Sequence, residues 1–487
     1  MPVNFVFNPQ DLTRFLPEIL LTIAGTFLMV LDPILHKRAS YAFGHLSILA
    51  LLAALGASVM AYGNPGTAFG GMLIIDGFGT FFRVLSIVVG ILTVLPSYRF
   101  LARQEAETSE YHALLLFSIA GQCLMAVSND LIMVFIGLEI SSISSYVLAG
   151  YLRDDKRNNE SALKYFLLGS FATAFFLYGV ALIYGATGSV NLSTVRANIL
   201  QSGMDAMPLL AISAALMFVG LAFKVSAAPF QIWAPDVYQG APTPIAAFMS
   251  AGPKAAAFAV FLRIFFTSFE PIGARWEPMV WIAALASMCV GNFAALLQTN
   301  IKRMLAYSSI AHAGYVLVAI TAHTNDGAAA LMFYLAAYAL MNIGAFAAVA
   351  HLSGKGDRFV NIDDFKGLAR KQPLTAAMFT VFLLSMIGVP LTGGFLGKFY
   401  IFKAALESHL VWLTVLGLLN SAVAAYYYLR ILVMMYMHEP SEAADGAEPL
   451  SPGLSLALVL PAVGTLILGI FPNWIIAFAG RSALFVK

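Results

Sequence analysis

Long apolar runs separated by short polar turns dominate the chain. Runs long enough to cross a bilayer, at about 20 residues each, fall near 12–32, 43–62, 77–97, 111–128, 130–151, 161–184, 208–230, 243–268, 278–298, 303–321, 328–351, 373–405, 411–437 and 453–478. The pattern predicts fourteen transmembrane helices and an all-α polytopic membrane fold. Two runs are broken. In helix 7, Lys224 lies in an apolar stretch with Pro229 five residues later, and helix 12 is interrupted at Gly388-Val-Pro390-Leu-Thr-Gly393-Gly394. Proline lacks an N–H and its ring clashes with the preceding turn, so Pro229 frees the carbonyl of Val225. Such a group at bilayer depth is tolerated only where protein or water meets it. A lysine there costs about 2.5–3.5 kcal/mol unless it faces a bundle interior or a wet cavity. A broken helix with a buried lysine therefore reads as an ion path, the alternative being a lysine that reaches to the headgroups.

Composition agrees: 60% apolar and 11% charged residues, with mean hydropathy +0.83, make the bilayer the solvent of this chain. A net charge of +2 with scattered basic residues leaves no nucleic-acid footprint. Cys123 and Cys289 are too few for an iron–sulfur cluster and poorly placed for a disulfide, so no redox centre, metal or cofactor is expected in this chain. The N-terminus lacks the basic start and cleavage site of a signal peptide, so the first helix is expected to stay.

Basic residues orient the helices. Loops after odd-numbered helices hold Lys37, Arg38, Arg99, Arg103, Arg153, Lys156, Arg157, Lys302, Arg303, Lys355, Arg358, Lys366, Arg370 and Lys371. The other side has Arg14, Arg196, Arg275, Arg481 and Lys487. Lysine and arginine collect in cytoplasmic loops, so both termini are expected on the outer, periplasmic side. The acidic loop 439–450 is then cytoplasmic.

The middle of the chain repeats itself. Asn129 and Tyr146-Val-Leu-Ala149 match Asn300 and Tyr315-Val-Leu-Val318 at offsets of 171 and 169. Ala162-Leu-Lys-Tyr-Phe-Leu167 matches Ala330-Leu-Met-Phe-Tyr-Leu335 at 168, and Ala257-Phe-Ala-Val-Phe-Leu-Arg-Ile264 matches Ala424-Ala-Tyr-Tyr-Tyr-Leu-Arg-Ile431 at 167. Each repeat holds five helices, 4–8 and 9–13. An odd number makes the second copy enter from the other side, as in transporters with inverted repeats. The expected organisation is an N-terminal three-helix segment (1–110), a first repeat (111–276), a second, inverted repeat (277–438), and an acidic loop with a C-terminal helix (439–487). The two breaks superpose.

Ionisable groups form a line through these helices. Glu139 is mid-span in helix 5, Lys164 near the start of helix 6, Lys224 at the break of helix 7, and Lys254 after Pro253 in helix 8. His312 is mid-helix 10 and Lys398 follows the break of helix 12. One acid among several lysines points to a relay. Glu139 and Lys224 at ~4 Å would interact by about 4 kcal/mol, and at ~10 Å by about 1.7, at an effective dielectric of ~20. Sliding the carboxylate away thus releases a proton from Lys224 towards Lys254, with His312 in the middle and Lys398 at the exit. Lys164 and Lys302 are weaker candidates, since snorkelling or topology setting explains them equally. His312 beside Ser308 and Ser309 has a packing role as its alternative. Arg83, Arg263 and Arg430 read as interfacial contacts, and Asp236 and Tyr238 as fixing the loop.

The segments Lys224-Val-Ser-Ala-Ala-Pro-Phe-Gln-Ile-Trp-Ala-Pro-Asp-Val-Tyr-Gln-Gly-Ala-Pro-Thr-Pro244, Gly137-Leu-Glu-Ile-Ser141, Gln298-Thr-Asn-Ile-Lys-Arg-Met-Leu-Ala-Tyr-Ser-Ser-Ile-Ala-His312 and Gly394-Phe-Leu-Gly-Lys398 closely resemble the subunit N family of bacterial NADH-quinone oxidoreductase, respiratory complex I. The likeness runs over nearly the whole chain. It implies fourteen helices, inverted five-helix repeats and one proton channel, with roles for the residues matched here by Glu139, Lys224, Lys254 and Lys398. It also implies a bacterial inner-membrane location, with FMN, iron–sulfur clusters and quinone in other subunits. The implied neighbours are the antiporter-like subunit M, the small subunit K and the lateral helix of subunit L. Lysine at 398 fits this family, where subunit M would show glutamate, and the chain is too short for the lateral helix of subunit L. The animal mitochondrial counterpart lacks the first three helices. One departure is Gln231, where many relatives have histidine; glutamine holds a water but does not titrate. The alternatives are a subunit of a sodium/proton antiporter or membrane-bound hydrogenase, a stand-alone secondary transporter, and a structural spacer.

Overall fold

Each long apolar run folds as helix in the computed structural model, which describes residues 8–35, 40–106, 108–201 and 207–485. Lys37, Arg38 and Lys487 of the charge argument, and the first seven residues weighed as a signal peptide, lie outside the described residues. In chain order the helices are α1 (Leu16–Leu35), α2 (Ser40–Tyr62), α3 (Gly77–Gln104), α4 (Ser109–Val127), α5 (Leu131–Ala149) and α6 (Lys156–Thr187). The broken helix follows as α7a (Met207–Val225) and α7b (Trp233–Gly240), then α8 (Thr243–Arg263), α9 (Gly273–Leu296), α10 (Ile301–Thr321) and α11 (Asn325–Leu352). The second broken helix is α12a (Pro373–Ile387) and α12b (Gly393–Glu407), before α13 (Val411–Met437), α14 (Pro452–Ile470) and α15 (Asn473–Ser482). Among the described residues twelve helices are long and apolar enough to cross a membrane. The twenty-residue α1, which carries Glu18, and the two halves of α12 stand outside that number.

Among the boundaries that differ from the pattern-based expectation, three have a visible local feature. Helix α3 continues to Gln104, where Glu105 in the left-handed region caps it. The seventh run leaves the helix at Val225 and not at residue 230, because Ser226 turns the chain with φ +59° ahead of a cis Ala228–Pro229 bond. The last run splits at Phe471-Pro472, and α15 forms a separate short helix. A hairpin of β1 (Gly66–Ala68) and β2 (Leu73–Ile75) qualifies the all-helical expectation. Strands of three residues in a glycine-rich loop leave no alternation to read.

Burial orders the helices. The apolar windows of α8, α10 and α11 are 100%, 94% and 94% buried, whereas those of α6, α13 and α14 are 39%, 33% and 39% buried. A helix apolar all round belongs in the middle of a bundle. The outer helices turn Phe171, Leu419 and Leu460 outward, as lipid-facing surfaces do.

The same contacts recur at a spacing of 170. Isolated antiparallel bridges join Asp130 to Asn191 and Asn300 to Asn361. A Cβ on Gly121 would meet the Gly137 carbonyl and Ser141 N, and one on Gly291 would meet the Tyr307 carbonyl and Ala311 N. All five pairs of positions, two from the bridges and three from the glycine contacts, are related by that spacing. Asp130 and Asn300 are also N-caps, Asp130 accepting from Ile132 and Met133 and Asn300 from Arg303. At this spacing Asn300 falls on Asp130, where the apolar matches set it against Asn129, one residue away.

Two arginines expected at interfaces are internal. Arg83 is fully buried, and its Nε and Nη2 donate to Glu18 Oε1 and Oε2 at 2.8 and 2.9 Å. Arg263 pairs with Asp76 at 2.7 Å and lies over the Phe78 ring. Their acids come from helices or turns 65 and 187 residues away in sequence, which local reading does not pair.

Candidate functional site

The break in helix 7 seats Lys224 at the last turn of α7a, only 7% exposed. The Trp233 indole, stacked on Tyr165 at 4.4 Å, donates to the Phe223 carbonyl at 2.9 Å. Ser287 Oγ accepts from Ala228 N at 2.8 Å. The polar groups met here are thus those of Phe223 and Ala228, on either side of the expected Val225 carbonyl. Among the described residues no hydrogen bond reaches Lys224. Its Nζ faces the rings of Tyr146 and Tyr165 at 5.1 and 5.4 Å, an arrangement in which ring quadrupoles take the place of acceptors.

Glu139 is on α5, two turns before Tyr146. It is the charged group whose field acts on Lys224. No ion pair within 4.0 Å joins them among the described residues, and Glu139 Oε1 is buried without a hydrogen-bond partner. The close arrangement weighed from the sequence, at ~4 Å, is thus not the one in this structure.

Lys254, 2% exposed on α8, donates to the Ser309 carbonyl at 3.3 Å and to Ser309 Oγ. Tyr338 OH donates to the same Oγ at 2.8 Å, and Asn342 Nδ2 donates to Tyr338 OH at 3.1 Å and to Ser250 Oγ at 2.5 Å. One turn on, His312 places Nδ1 2.5 Å from Tyr334 OH and Nε2 3.1 Å from Tyr428 OH. Tyr428 OH also bonds Ser308 Oγ. Lys254 and Lys398 are the two lysines whose fields act on His312.

Lys398, 6% exposed on α12b, donates to the carbonyls of Met386 and Ile387 at 2.9 and 3.0 Å and to Ser421 Oγ at 2.8 Å. Those carbonyls are the C-terminal end of α12a, where the helix dipole favours a cation. Nζ also lies 4.8 Å from the Tyr315 ring, and Tyr315 continues through Asn292 to Tyr427. A cavity of about 440 Å³ runs from Lys398 along α12b to Lys403 and Glu407. Gly394 makes the bend: its N donates to Ser385 Oγ at 3.0 Å, and a Cβ there would lie 2.0 Å from the Ser385 carbonyl oxygen.

The structure thus brings Lys254, His312 and Lys398 into one row of hydroxyls and rings, with Lys224 and Glu139 on the side of the first break. Lys164 stands apart, 41% exposed and paired with Glu160 and Asp236 at 2.6 and 2.7 Å. Asp236 also holds Arg303 at 2.5 Å; it lies on α7b and ties that short helix to α6 and α10, where a loop was expected. Lys302 is fully buried, and its Nζ donates to Asp357 Oδ2 and to the Ala241 carbonyl, both at 2.7 Å. Gln231 sits in the break with Oε1 buried and unpartnered. Sequence reasoning missed Tyr338, Tyr428, Asn292 and Asp357, and named Ser309 only as a neighbour of His312 and not as the partner of Lys254. Their only linear signal was polarity inside or between apolar runs.

Among the described residues no group of three or more His, Cys, Asp or Glu side chains is placed to hold a metal. The profile of the family described as NADH:quinone oxidoreductase/Mrp antiporter, TM, matches residues 128–424. NADH-quinone oxidoreductase subunit N 1 of Solibacter usitatus (strain Ellin6076) is 77% identical over 100% of both chains. A chain of respiratory complex I from Thermus thermophilus with bound aureothin superposes with TM-score 0.82 at 36% identity, covering 95% of this chain and 99% of that one. A chain of an archaeal membrane-bound sulfane sulfur reductase superposes with TM-score 0.85 at 27% identity, over 97% of each.

Proposed function

Because this chain belongs to the subunit N family of the NADH-quinone oxidoreductases, we propose that the row from Glu139 to Lys398 is the path its protons take. The chain is an antiporter-like, proton-pumping, multi-pass membrane subunit of bacterial complex I. In the path, Glu139 and Lys224 are the switching pair, Lys254 and His312 carry protons through the middle, and Lys398 delivers them to the cavity that ends at Lys403 and Glu407. Lys224 supports this most directly. An ammonium held by two ring faces and no hydrogen bond depends on the distance to Glu139, so a small movement of α5 changes its hold on a proton. Lys164 and Lys302 are ion-paired to nearby acids and serve the path as supports.

The recurrence at a spacing of 170 supports an internal duplication with inverted copies, and the basic loops support a cytoplasmic face opposite both termini. Subunits M and K and the lateral helix of subunit L are the proposed neighbours, and FMN, iron–sulfur clusters and quinone sit in other subunits. At ~150 mV each proton moved outward takes about 3.5 kcal/mol from the potential, which redox steps in those subunits supply. The test is proton pumping by membranes carrying Lys224→Ala, with assembly checked in parallel. A lower ratio of protons pumped to NADH oxidised in a fully assembled complex is expected; an unchanged ratio refutes the path.

A further inference from the structure

A second acid stands near the foot of the two helices that carry the middle of the row. Asp357 closes the turn Lys355–Asp357 with φ +48°, a left-handed conformation uncommon for a residue with a side chain. Its Oδ2 accepts from Lys302 Nζ at 2.7 Å and from Thr243 Oγ1 at 2.8 Å. Thr243 opens α8, with Lys254 eleven residues on, and Lys302 opens α10, with Ser309 and His312 seven and ten residues on. At 1.5 Å per residue those groups are about 10–16 Å away.

The other oxygen is left over. Asp357 Oδ1 is buried and has no hydrogen-bond partner. Asn158 is in the same condition: Nδ2 donates to the Gly240 carbonyl at 2.8 Å, while Oδ1 is buried and unpartnered. Both side chains line one cleft of about 20 Å³, together with Asp155, Arg157, Asn300 and Gly356. That volume holds one water, and a buried water takes two to four polar partners. Two buried acceptors without partners, on two residues that line one water-sized cleft, are otherwise an uncompensated cost.

We propose that this cleft is the proton intake of the subunit and that Asp357 Oδ1 is the first acceptor. The proposal rests on the relay described above. A hydronium ion reaching the cleft from the basic loops gives its proton to Oδ1 and departs as water, and the carboxylate becomes a carboxylic acid. The negative charge facing Lys302 is then gone. The uncompensated ammonium favours release of the proton inward, to water leading along α8 and α10 towards Lys254 and His312, and release restores the carboxylate. Arg157, whose Nη2 donates to the Gly356 carbonyl at 3.0 Å, Lys355, paired with Glu105 at 2.5 Å, and Arg358, which follows Asp357 and pairs with Glu442 at 3.3 Å, are the other cations at this turn. The competing role is a lock, in which Asp357 only neutralises Lys302.

The experiment measures protons pumped per NADH oxidised by the assembled complex in native membranes. Asp357→Asn is expected to lower the ratio by at least the fraction that Lys224→Ala does, and Asp357→Glu to preserve most of it. The double variant Asp357→Asn with Lys302→Met has no buried charge to neutralise. A lock predicts that it recovers, and recovery overturns the intake; continued loss supports it. Asn158→Leu fills the cleft and leaves the Asp357–Lys302 pair intact, so it decides the matter if Asp357→Asn fails to assemble. Loss supports the intake and a normal ratio overturns it. Lys224→Ala in the same series separates the two claims: a normal ratio there with loss in Asn158→Leu sinks the Glu139–Lys224 switch and leaves the intake to Lys254 and His312 standing, and the reverse sinks the intake alone.

Discussion

Lys224 Nζ lies 5.1 Å from the centre of the Tyr146 ring, and among the described residues no hydrogen bond reaches it. A desolvated cation over an aromatic face gains about 2 kcal/mol, less than charge-assisted hydrogen bonds would give. The ammonium is held loosely, which suits a group that must change its charge in each cycle.

Replacing the ring tests this relation. Tyr146→Leu removes about 1–2 kcal/mol from the charged form of Lys224, a factor of about 5–30 in population, and pumping should fall without loss of assembly. Tyr146→Phe keeps the ring and deletes a buried hydroxyl that has no partner. Near-normal pumping is expected from it. Equal effects of the two variants would show that the ring face is irrelevant.

Ser309 is the acceptor shared by Lys254 and Tyr338. Ser309→Ala leaves both donors short of a partner, at about 1–3 kcal/mol. Slower proton transfer is expected, read as a several-fold drop in initial pumping rate. Ser309→Thr keeps the hydroxyl and should restore it.

The bend in helix 12 depends on a missing side chain. In Gly394→Ala the new methyl would lie 2.0 Å from the Ser385 carbonyl oxygen, so backbone must move. Overpacking of this kind costs about 1–3 kcal/mol. Lower subunit content on native gels, with a lower melting temperature of the purified complex, is the expected reading.

The acidic loop is a strap. Arg99 and Arg103 meet Glu448, Arg370 meets Glu439 at 2.7 Å, Lys371 meets Asp445 at 2.7 Å and Arg358 meets Glu442 at 3.3 Å. The hydrogen bond from Arg99, and then its charge, hold the Glu448 carboxyl below its ordinary range. A depressed folded value means that the contribution is full above the unfolded pKa and fades as pH falls through the folded one. Each exposed pair is weak and screened by salt. A nitroxide at Pro449 should therefore gain mobility in 1 M salt and, separately, as pH falls below the ordinary carboxylate range. Unchanged spectra under both conditions would show that the strap is held by other contacts.

The titratable members of the row were legible because a charge inside an apolar run is conspicuous in one dimension. The hydroxyls and amides between them were not. Tyr428 meets His312 across 116 residues, and Asn292 meets Tyr427 across 135. Tyrosine, serine and asparagine occur in apolar helices without any role in proton transfer. Asp357 was invisible for a further reason: it lies in a loop, where an acid is unremarkable until Lys302 and Thr243 are seen to close on it.

By itself the sequence determined the solvent, the order of the spans, the two breaks and the side chains able to hold a charge at depth. Each of these follows from hydropathy or from the covalent limits of proline and glycine, which act over a few residues. Tertiary structure alone decided the partners: rings and not a carboxylate against Lys224, carbonyls of a broken helix against Lys398, and Glu18 against Arg83. Partners of this kind are set by helix packing across tens to hundreds of residues, and one residue of register changes which side chains meet.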